Sequence, residues 1–282
     1  MSVTPAFAWL GGKNRLRDRI VSYTVDAPLY VEPFAGALNV LLARPAKNRE
    51  VVNDQDRRIV NFYRVLQDDT LRGHLLQKLK YTPYARAEFG RALQILRTSD
   101  EKNSVDRAWA FFVAQNQGLS GNGCNASNEN NWGISKERDI AARFRWHVAE
   151  LEKLAERLSG VIIENRDALA LIQTWDAPYA VFYCDPPYVP DTRKMGHRSR
   201  YQAEMTREAH HQLIDILLNL KGEAILSGYR DKHIHQPLEN AGWQRLDMQV
   251  SLHAAVQDKT QKRIECLWLS PGIQRQQMGL FA

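Results

Sequence analysis

A short apolar run, Tyr179, Ala180, Val181 and Phe182, continues through Tyr183 and Cys184 and then meets Asp185, Pro186, Pro187 and Tyr188. Its length and composition predict a β-strand. Two consecutive prolines fix where that strand stops, because proline has no amide to donate to a ladder and its φ is locked. Asp185 therefore belongs at a strand's carboxyl end, followed by a stiff turn that presents carbonyls and then by an aromatic ring. In an open α/β sheet that edge is where ligands bind. The same four residues also suit an ordinary strand stop, since aspartate and proline are common turn formers.

Upstream, Trp9, Leu10, Gly11, Gly12, Lys13 and Asn14 precede an apolar spacing at Leu16, Ile20 and Tyr23 that predicts a short helix. Two glycines ahead of a helix leave backbone amides open to a ligand, and Lys13 adds a positive charge for a carboxylate or phosphate; a plain turn has the same composition. A strand is predicted over Leu29 to Glu32, and Pro33, Phe34, Ala35 and Gly36 turn it into a helix that begins near Leu38. Val51, Val52 and Asn53 form a second short strand closed by Asp54, 18 residues beyond Gly36. That spacing is close to the roughly 20 residues between a glycine turn and the carboxylate that binds ribose hydroxyls in nucleoside-cofactor folds. One glycine stands where a dinucleotide fingerprint has three, so a nucleoside cofactor without a pyrophosphate, such as S-adenosylmethionine, fits better. An ordinary βαβ unit in which Asp54 caps a helix has the same pattern.

Beyond Asp54, Ile59, Phe62, Tyr63 and Leu66 follow helical spacing, and residues 61–159 read as mostly helical, with Trp109 to Ala114 as a buried segment. Gln115 to Ser135 interrupts this region. There Gly118, Gly121, Gly123 and Gly133 lie among Asn116, Ser120, Asn122, Asn125, Asn128, Asn130 and Asn131. Such a stretch is either a flexible loop or one whose amides read adenine edges, with Arg138, Arg143 and Arg145 beyond it for phosphates. Val148, Leu151, Ala155 and Leu158 predict one further helix ended by Gly160. Val161 to Ile163 predict a strand leading to Asp167, a third carboxylate at a strand end, which either caps the next helix or binds a nucleobase edge. Past Tyr188, Arg193, Lys194, His197, Arg198 and Arg200 form a basic loop, either solvated or set against phosphates. Thr206 is a good N-cap for a helix that stops by Gly222. Strands near Ala224 to Leu226, Leu246 to Leu252 and Ile264 to Leu269 complete a mostly parallel sheet with an antiparallel pair at its end. His210, His211, His233 and His235 lack metal-ligand spacing, and no metal is expected.

The 282 residues allow one large α/β domain or a domain with an insertion. Thirty-eight Lys and Arg against 32 Asp and Glu give a net charge of +6 and a pI near 9.2, a basic balance suited to a polyanionic partner. Cys124, Cys184 and Cys266 are odd in number and far apart, which argues against a disulfide framework and a zinc site and for reduced thiols in the cytoplasm. No apolar run approaches the ~18 residues that span a bilayer, and no signal-peptide pattern is seen, so no membrane association is expected.

Trp9-Leu-Gly-Gly-Lys13, Glu32-Pro-Phe-Ala-Gly36, Asn53-Asp54 and Asp185-Pro-Pro-Tyr188 together resemble, in order, the motifs of Dam-like N6-adenine DNA methyltransferases of the phage and bacterial type. The resemblance implies a Rossmann-like S-adenosylmethionine-dependent methyltransferase sheet with an inserted, mostly helical target-recognition domain. Residues 1–60 and 160–282 would form the catalytic domain and 61–159 the recognition domain. It also implies roles: Asp185, Pro186, Pro187 and Tyr188 in catalysis; Trp9, Gly12, Lys13, Glu32, Phe34, Gly36, Asp54, Asp167 and Asp185 around the cofactor. Asn116, Ser120, Asn122, Asn125, Arg138, Arg193, Lys194, Arg198 and Arg200 would contact duplex DNA in a bacterial or phage-infected cell. Two features depart from the family pattern: Gly36-Ala-Leu-Asn39 lacks a second glycine, and the recognition region does not reproduce the residues with which Dam reads GATC. The tail Gln277-Met-Gly-Leu-Phe281 is similar to peptides that bind the bacterial replication sliding clamp, which implies that role for Gln277, Leu280 and Phe281. The alternatives are N6-adenine methylation of RNA and a catalytically silent DNA-binding relative.

Overall fold

In a computed structural model, residues 3–9, 11–24, 26–46, 49–98, 104–188, 205–251 and 262–279 are described. They form seven strands: β1 (Leu29–Glu32), β2 (Arg49–Asn53), β3 (Val161–Glu164), β4 (Ala180–Cys184), β5 (Glu223–Gly228), β6 (Gln244–Ser251) and β7 (Lys262–Leu269). The sheet order is β3-β2-β1-β4-β5-β7-β6. β2, β1, β4 and β5 run parallel, whereas β7 is antiparallel to β5 and to β6. All residues of β1 and β4 are buried, as expected of central parallel strands covered on both faces. From β1 the order proceeds one way to β2 and β3 and the other way to β4 and β5. The β1/β4 junction is therefore the switch point beside which open α/β sheets bind ligands. The expected α/β class, with a mostly parallel sheet and a terminal antiparallel pair, is what forms.

The chain divides into two compact units, the first comprising Met1–Val21, Ala35–Lys47 and Asn53–Asn165, the second Ser22–Phe34, Asn48–Val52 and Arg166–Ala282. The Trp9–Lys13 motif, Gly36 and Asp54 all fall in the unit that holds most of the helical region.

In the first unit, α2 (Asn39–Ala43), α3 (Arg57–Gln67), α4 (Asp69–Lys80), α5 (Arg86–Arg97) and α6 (Ser104–Gln117) precede α7 (Ile140–Ala149) and α8 (Leu151–Leu158); α1 (Arg17–Tyr23) begins in this unit as well. Asp56, Asp68 and Asp139 N-cap α3, α4 and α7 by accepting backbone amides. Residues Ala108 to Ala114 of α6 are 0% exposed, so this helix forms the unit's axis. Phe7 packs edge-on against Phe111 at 5.0 Å and also touches Phe62 and Tyr63, which ties the N-terminal segment to the helices. The single helix predicted from Val148 to Leu158 is instead two, meeting at Glu150. α7 buries Phe144 and His147 while α8 buries Leu151, Leu154, Ala155 and Leu158, and the break lets each helix turn its own apolar face inward.

The glycine- and asparagine-rich stretch is not structureless, and it begins later than expected. α6 runs on through Gln117, so Asn116 is helical. Three 3₁₀ turns follow, at Leu119–Gly121, Gly123–Asn125 and Glu129–Asn131, and a bridge joins Gly118 to Trp132. The buried Gln115 side chain accepts from the Cys124 amide at 2.9 Å and donates to Gly121 O at 3.0 Å. Gln117 likewise donates to Pro83 O at 2.9 Å and accepts from the Ala85 amide at 3.2 Å. The glycines permit close backbone approach: a Cβ on Gly123 would lie 1.7 Å from Ala114 O.

In the second unit, α9 (Ala168–Trp175), α10 (Arg207–Leu218), α11 (Lys232–Asn240) and α12 (Pro271–Gly279) accompany the strands. Asp167, Thr206 and Asp231 cap the first three. Val31, Phe182, Leu226 and Trp268 from the sheet pack with Leu171, Leu213, Leu217 and Leu238 from these helices. His235 stacks on Trp268 at 4.2 Å and 17°, and burial pushes its imidazole pKa down to about 4. Pro271–Gly279 form α12, which takes in Gln277 to Gly279 of the C-terminal tail. Among the described residues no helix is long and apolar enough to cross a membrane.

Gly123→Ala is expected to lower stability by at least ~1–3 kcal/mol in thermal unfolding, the cost of overpacking against backbone. Gly73→Ala, in the middle of α4 with nothing within 4 Å of the added Cβ, should instead raise it by ~0.5–1 kcal/mol.

Candidate active site

In the first unit the chain turns sharply at Gly36 (φ +48°) and Leu38 (φ 58°), both in the left-handed region that glycine adopts freely and leucine does not. Leu38 N donates to Ala35 O at 2.8 Å within this turn, and three further hydrogen bonds tie the turn to neighbouring segments. Asp54 Oδ2 accepts the Gly36 amide at 2.9 Å, Ala35 N donates to Asn53 O at 2.8 Å, and the Tyr63 hydroxyl donates to Gly36 O at 2.8 Å. Trp9 covers the turn so closely that a Cβ on Gly36 would sit 2.9 Å from its indole Cδ1. Gly12 is confined in the same way: its amide donates to Trp9 O at 3.0 Å and an added Cβ would lie 2.9 Å from Asn39 Nδ2.

Asp54 also accepts the Asp56 amide through Oδ1 at 2.8 Å, and its own carbonyl accepts from Asn165 Nδ2 at 2.7 Å. Burial pushes its carboxyl up to about 6, against the amides of Asp56 and Gly36, which pull it down. Lys13 is 3% exposed, with its ammonium donating to Gly11 O at 2.9 Å. A buried ammonium on a glycine turn suits an anionic group, and a buried carboxylate whose oxygens each have a further lone pair suits hydroxyl donors. Such a cation and acceptor pair suits a ligand that carries both an anionic group and hydroxyls.

Next to Asp54, a cluster that the sequence reading missed anchors the asparagine-rich stretch. Arg58 pairs with Asp56 at 2.6 Å, both side chains buried, and donates to Cys124 O and Asn125 Oδ1, each at 2.9 Å. Of the residues expected to read DNA, Asn125 is thus engaged with Arg58 and, through Nδ2, with Asn122 Oδ1 at 2.8 Å. Asn116 Nδ2 donates to Ala6 O and Phe112 O, both at 3.1 Å. Arg138 is exposed, and Ser120 lies in the first 3₁₀ turn. Arg193, Lys194, Arg198, Arg200, Leu280 and Phe281 lie outside the described residues, and Gln277 is part of α12.

In the second unit Glu32 closes β1, 2% exposed, accepting from the Tyr30 hydroxyl at 2.7 Å, and Pro33 and Phe34 follow it. Asp167 N-caps α9 through the Ala170 amide at 3.0 Å, the simpler of the two roles open to it in the sequence. β4 ends at Cys184, so Asp185 stands at its carboxyl end beside the β1/β4 switch point. Its Oδ1 accepts from the Ser227 hydroxyl at 2.8 Å, and Ser227 Oγ lies 3.3 Å from the Tyr183 hydroxyl. The pairing of Cys184 with Leu226 makes Asp185 and Ser227 successive neighbours along β4 and β5. Pro186 and Pro187 lead to Tyr188, whose ring centroid is 4.5 Å from that of Tyr229 and whose hydroxyl donates to Glu265 Oε1. Burial, then the charges of Asp185 and Glu265, push the Tyr188 phenol well above its ordinary value. Ser227, Tyr229 and Glu265 were not singled out from the sequence; a Ser-Gly-Tyr run at a strand's carboxyl end was the available signal.

An open, mostly parallel sheet with a glycine turn and carboxylates at successive strand ends is a Rossmann-like methyltransferase fold. A profile of the D12 class N6 adenine-specific DNA methyltransferase family matches residues 9–251, and the chain belongs to this family. It is similar to the DNA N-6-adenine-methyltransferase of Escherichia phage P1, with 24% identity over 228 residues. That alignment covers 77% of this chain and 29% of the phage protein, so the chain spans less than a third of that relative's length.

The folded Asp54 carboxyl, raised from 3.8 to about 6, takes up its proton before the unfolded chain does as pH falls. Its contribution to stability is therefore unfavourable above pH 6 and is relieved between 6 and about 4. A carboxyl-carbon NMR titration should give Asp54 a midpoint near 6, well apart from exposed aspartates.

Proposed function

We propose that the protein transfers a methyl group from S-adenosylmethionine to the N6 amine of adenine within a short specific sequence of duplex DNA. The observation that carries this reading is Asp185-Pro-Pro-Tyr188 at the carboxyl end of central strand β4, beside the switch point, with its carboxylate held by Ser227. The family match agrees with it.

In the first unit Lys13 would bind the methionine carboxylate and Asp54 the ribose hydroxyls, with Trp9, Gly12 and Gly36 beside them. Bound there, the cofactor supplies an electrophilic sulfonium methyl. The exocyclic amine of adenine is a poor nucleophile because its lone pair is delocalised into the ring. Asp185 accepts one amine hydrogen and the Pro186 carbonyl the other, which draws the nitrogen toward tetrahedral geometry; this is catalysis by placed acceptors, with no covalent intermediate on the protein. Pro187 stiffens the turn that presents them. Tyr188 stacks on the adenine flipped out of the helix and offsets an unstacking cost of a few kcal/mol. Ser120, Asn122 and Arg138, with Arg193, Lys194, Arg198 and Arg200, contact the duplex. Asn116 and Asn125 shape that surface through their bonds within the protein.

Asp185→Ala should lower methyl transfer by ~10²–10³-fold or more while duplex affinity stays within a few-fold; unchanged turnover would reject the mechanism. Affinity for S-adenosylhomocysteine in calorimetry should fall as pH drops through about 6, the value to which burial raises Asp54, and Asp54→Asn should remove that dependence. Methylome sequencing of cells expressing the protein gives the base and the sequence context.

A further inference from the structure

Burying a carboxylate is costly unless a donor meets it, so a glutamate inside a sheet face marks a place where something must be held. Glu265 is such a residue. It is 8% exposed on β7, whereas the preceding Ile264 is 51% exposed, so the strand turns its isoleucine outward and its glutamate inward. On the same face of β7 lie Leu267 and Leu269, both 0% exposed, and the paired Ser227 of β5. The antiparallel register that pairs Gly228 with Cys266 brings Tyr229 opposite Glu265 at the next step. What meets Glu265 is the last residue of the strand-end tetrapeptide: the Tyr188 hydroxyl donates to Glu265 Oε1 while the Tyr188 ring packs on Tyr229 at 4.5 Å and 60°. The other end of the tetrapeptide is fixed from the same face, by Ser227 on Asp185 at 2.8 Å.

We infer that Glu265 is a positioning residue for base capture: by holding the Tyr188 hydroxyl, with Tyr229 as a side support, it fixes the plane on which the target adenine stacks. This rests on the adenine-methylating reading given above. A tyrosine at the end of a loop has two free torsions. Anchoring its hydroxyl to a buried strand and its ring to a neighbouring tyrosine removes that freedom before substrate arrives, so less ordering is left to the step in which the flipped base is captured. A phenylalanine would offer the same stacking area without the anchor.

The test is a double-mutant cycle on the full chain, reading single-turnover methylation of duplex DNA and the fluorescence of 2-aminopurine at the target position, which reports stacking of the flipped base. Tyr188→Phe and Glu265→Leu should each lower the methylation rate about tenfold, the loss of one hydrogen bond to a charged group, and change the 2-aminopurine signal alike. Glu265→Gln, which keeps a carbonyl acceptor, should recover most of the rate. The double variant should be no more than about twofold worse than Tyr188→Phe alone, because Glu265 acts through the hydroxyl that this variant lacks. Additive losses would mean that Glu265 merely supports the sheet, and would overturn the inference. Should Glu265→Leu fail to fold, Tyr188→Phe decides alone: a rate and fluorescence equal to the unaltered protein would overturn it. If the unaltered protein forms no N6-methyladenine in duplex DNA, the adenine-methylating reading itself fails, an outcome distinct from additivity in an active enzyme.

Discussion

Asp54 accepts the amides of Gly36 and Asp56, and much of the first unit depends on that pair of bonds. A carboxylate taken out of water needs donors, and here the donors are backbone groups of the two segments that it joins. One is the left-handed turn after β1; the other is the start of α3. Through Asp56 and Arg58 the same knot reaches Cys124 and Asn125, so the first 3₁₀ turns of the asparagine-rich stretch hang from the helix that Asp56 caps. The cost of burying Asp54 appears as a pKa pushed up to about 6. A group left in that state is poised to gain from further hydroxyl donors.

The second unit follows the same logic at the end of β4. Asp185 and Tyr188 stand on a loop stiffened by two prolines, and each is met by a polar residue from the adjoining strands: Ser227 for the carboxylate, Glu265 for the phenol. Polar groups on an otherwise apolar sheet face are costly one at a time and stable as donor and acceptor pairs. They fix the tetrapeptide before any ligand arrives, which is the condition for catalysis that relies on placement.

Strand ends were legible in the sequence because they are local events. Prolines after Cys184, the Pro33 to Gly36 turn and Asp54 after Asn53 each announce themselves within a few residues. Lateral relations were not legible. Nothing within β7 says that Glu265 faces inward, since Ile264 to Leu269 is almost continuously apolar around it and hides the alternation. Arg58 reads as an ordinary position in the first turn of α3 until Cys124 and Asn125 are brought to it. The amide-rich composition of residues 115–135 was equally compatible with side chains facing solvent or facing inward. Gln115 and Gln117 face inward because close backbone packing at Gly118 and Gly123 leaves amides and carbonyls that only long polar side chains reach. The aromatic contact of Phe7 with Phe111 likewise spans a sequence distance that no local pattern encodes.

The chain belongs to the D12 class N6 adenine-specific DNA methyltransferase family, and the strand-end carboxylates give a physical account of how its residues would carry out the methyl transfer proposed for it. The most direct test is incubation of the purified protein with methyl-labelled S-adenosylmethionine and duplex DNA, followed by digestion to nucleosides. The account predicts label in N6-methyladenine, lost on Asp185→Ala. Label confined to cytosine, to RNA or to protein, or label in DNA that persists in the Asp185→Ala variant, would contradict it.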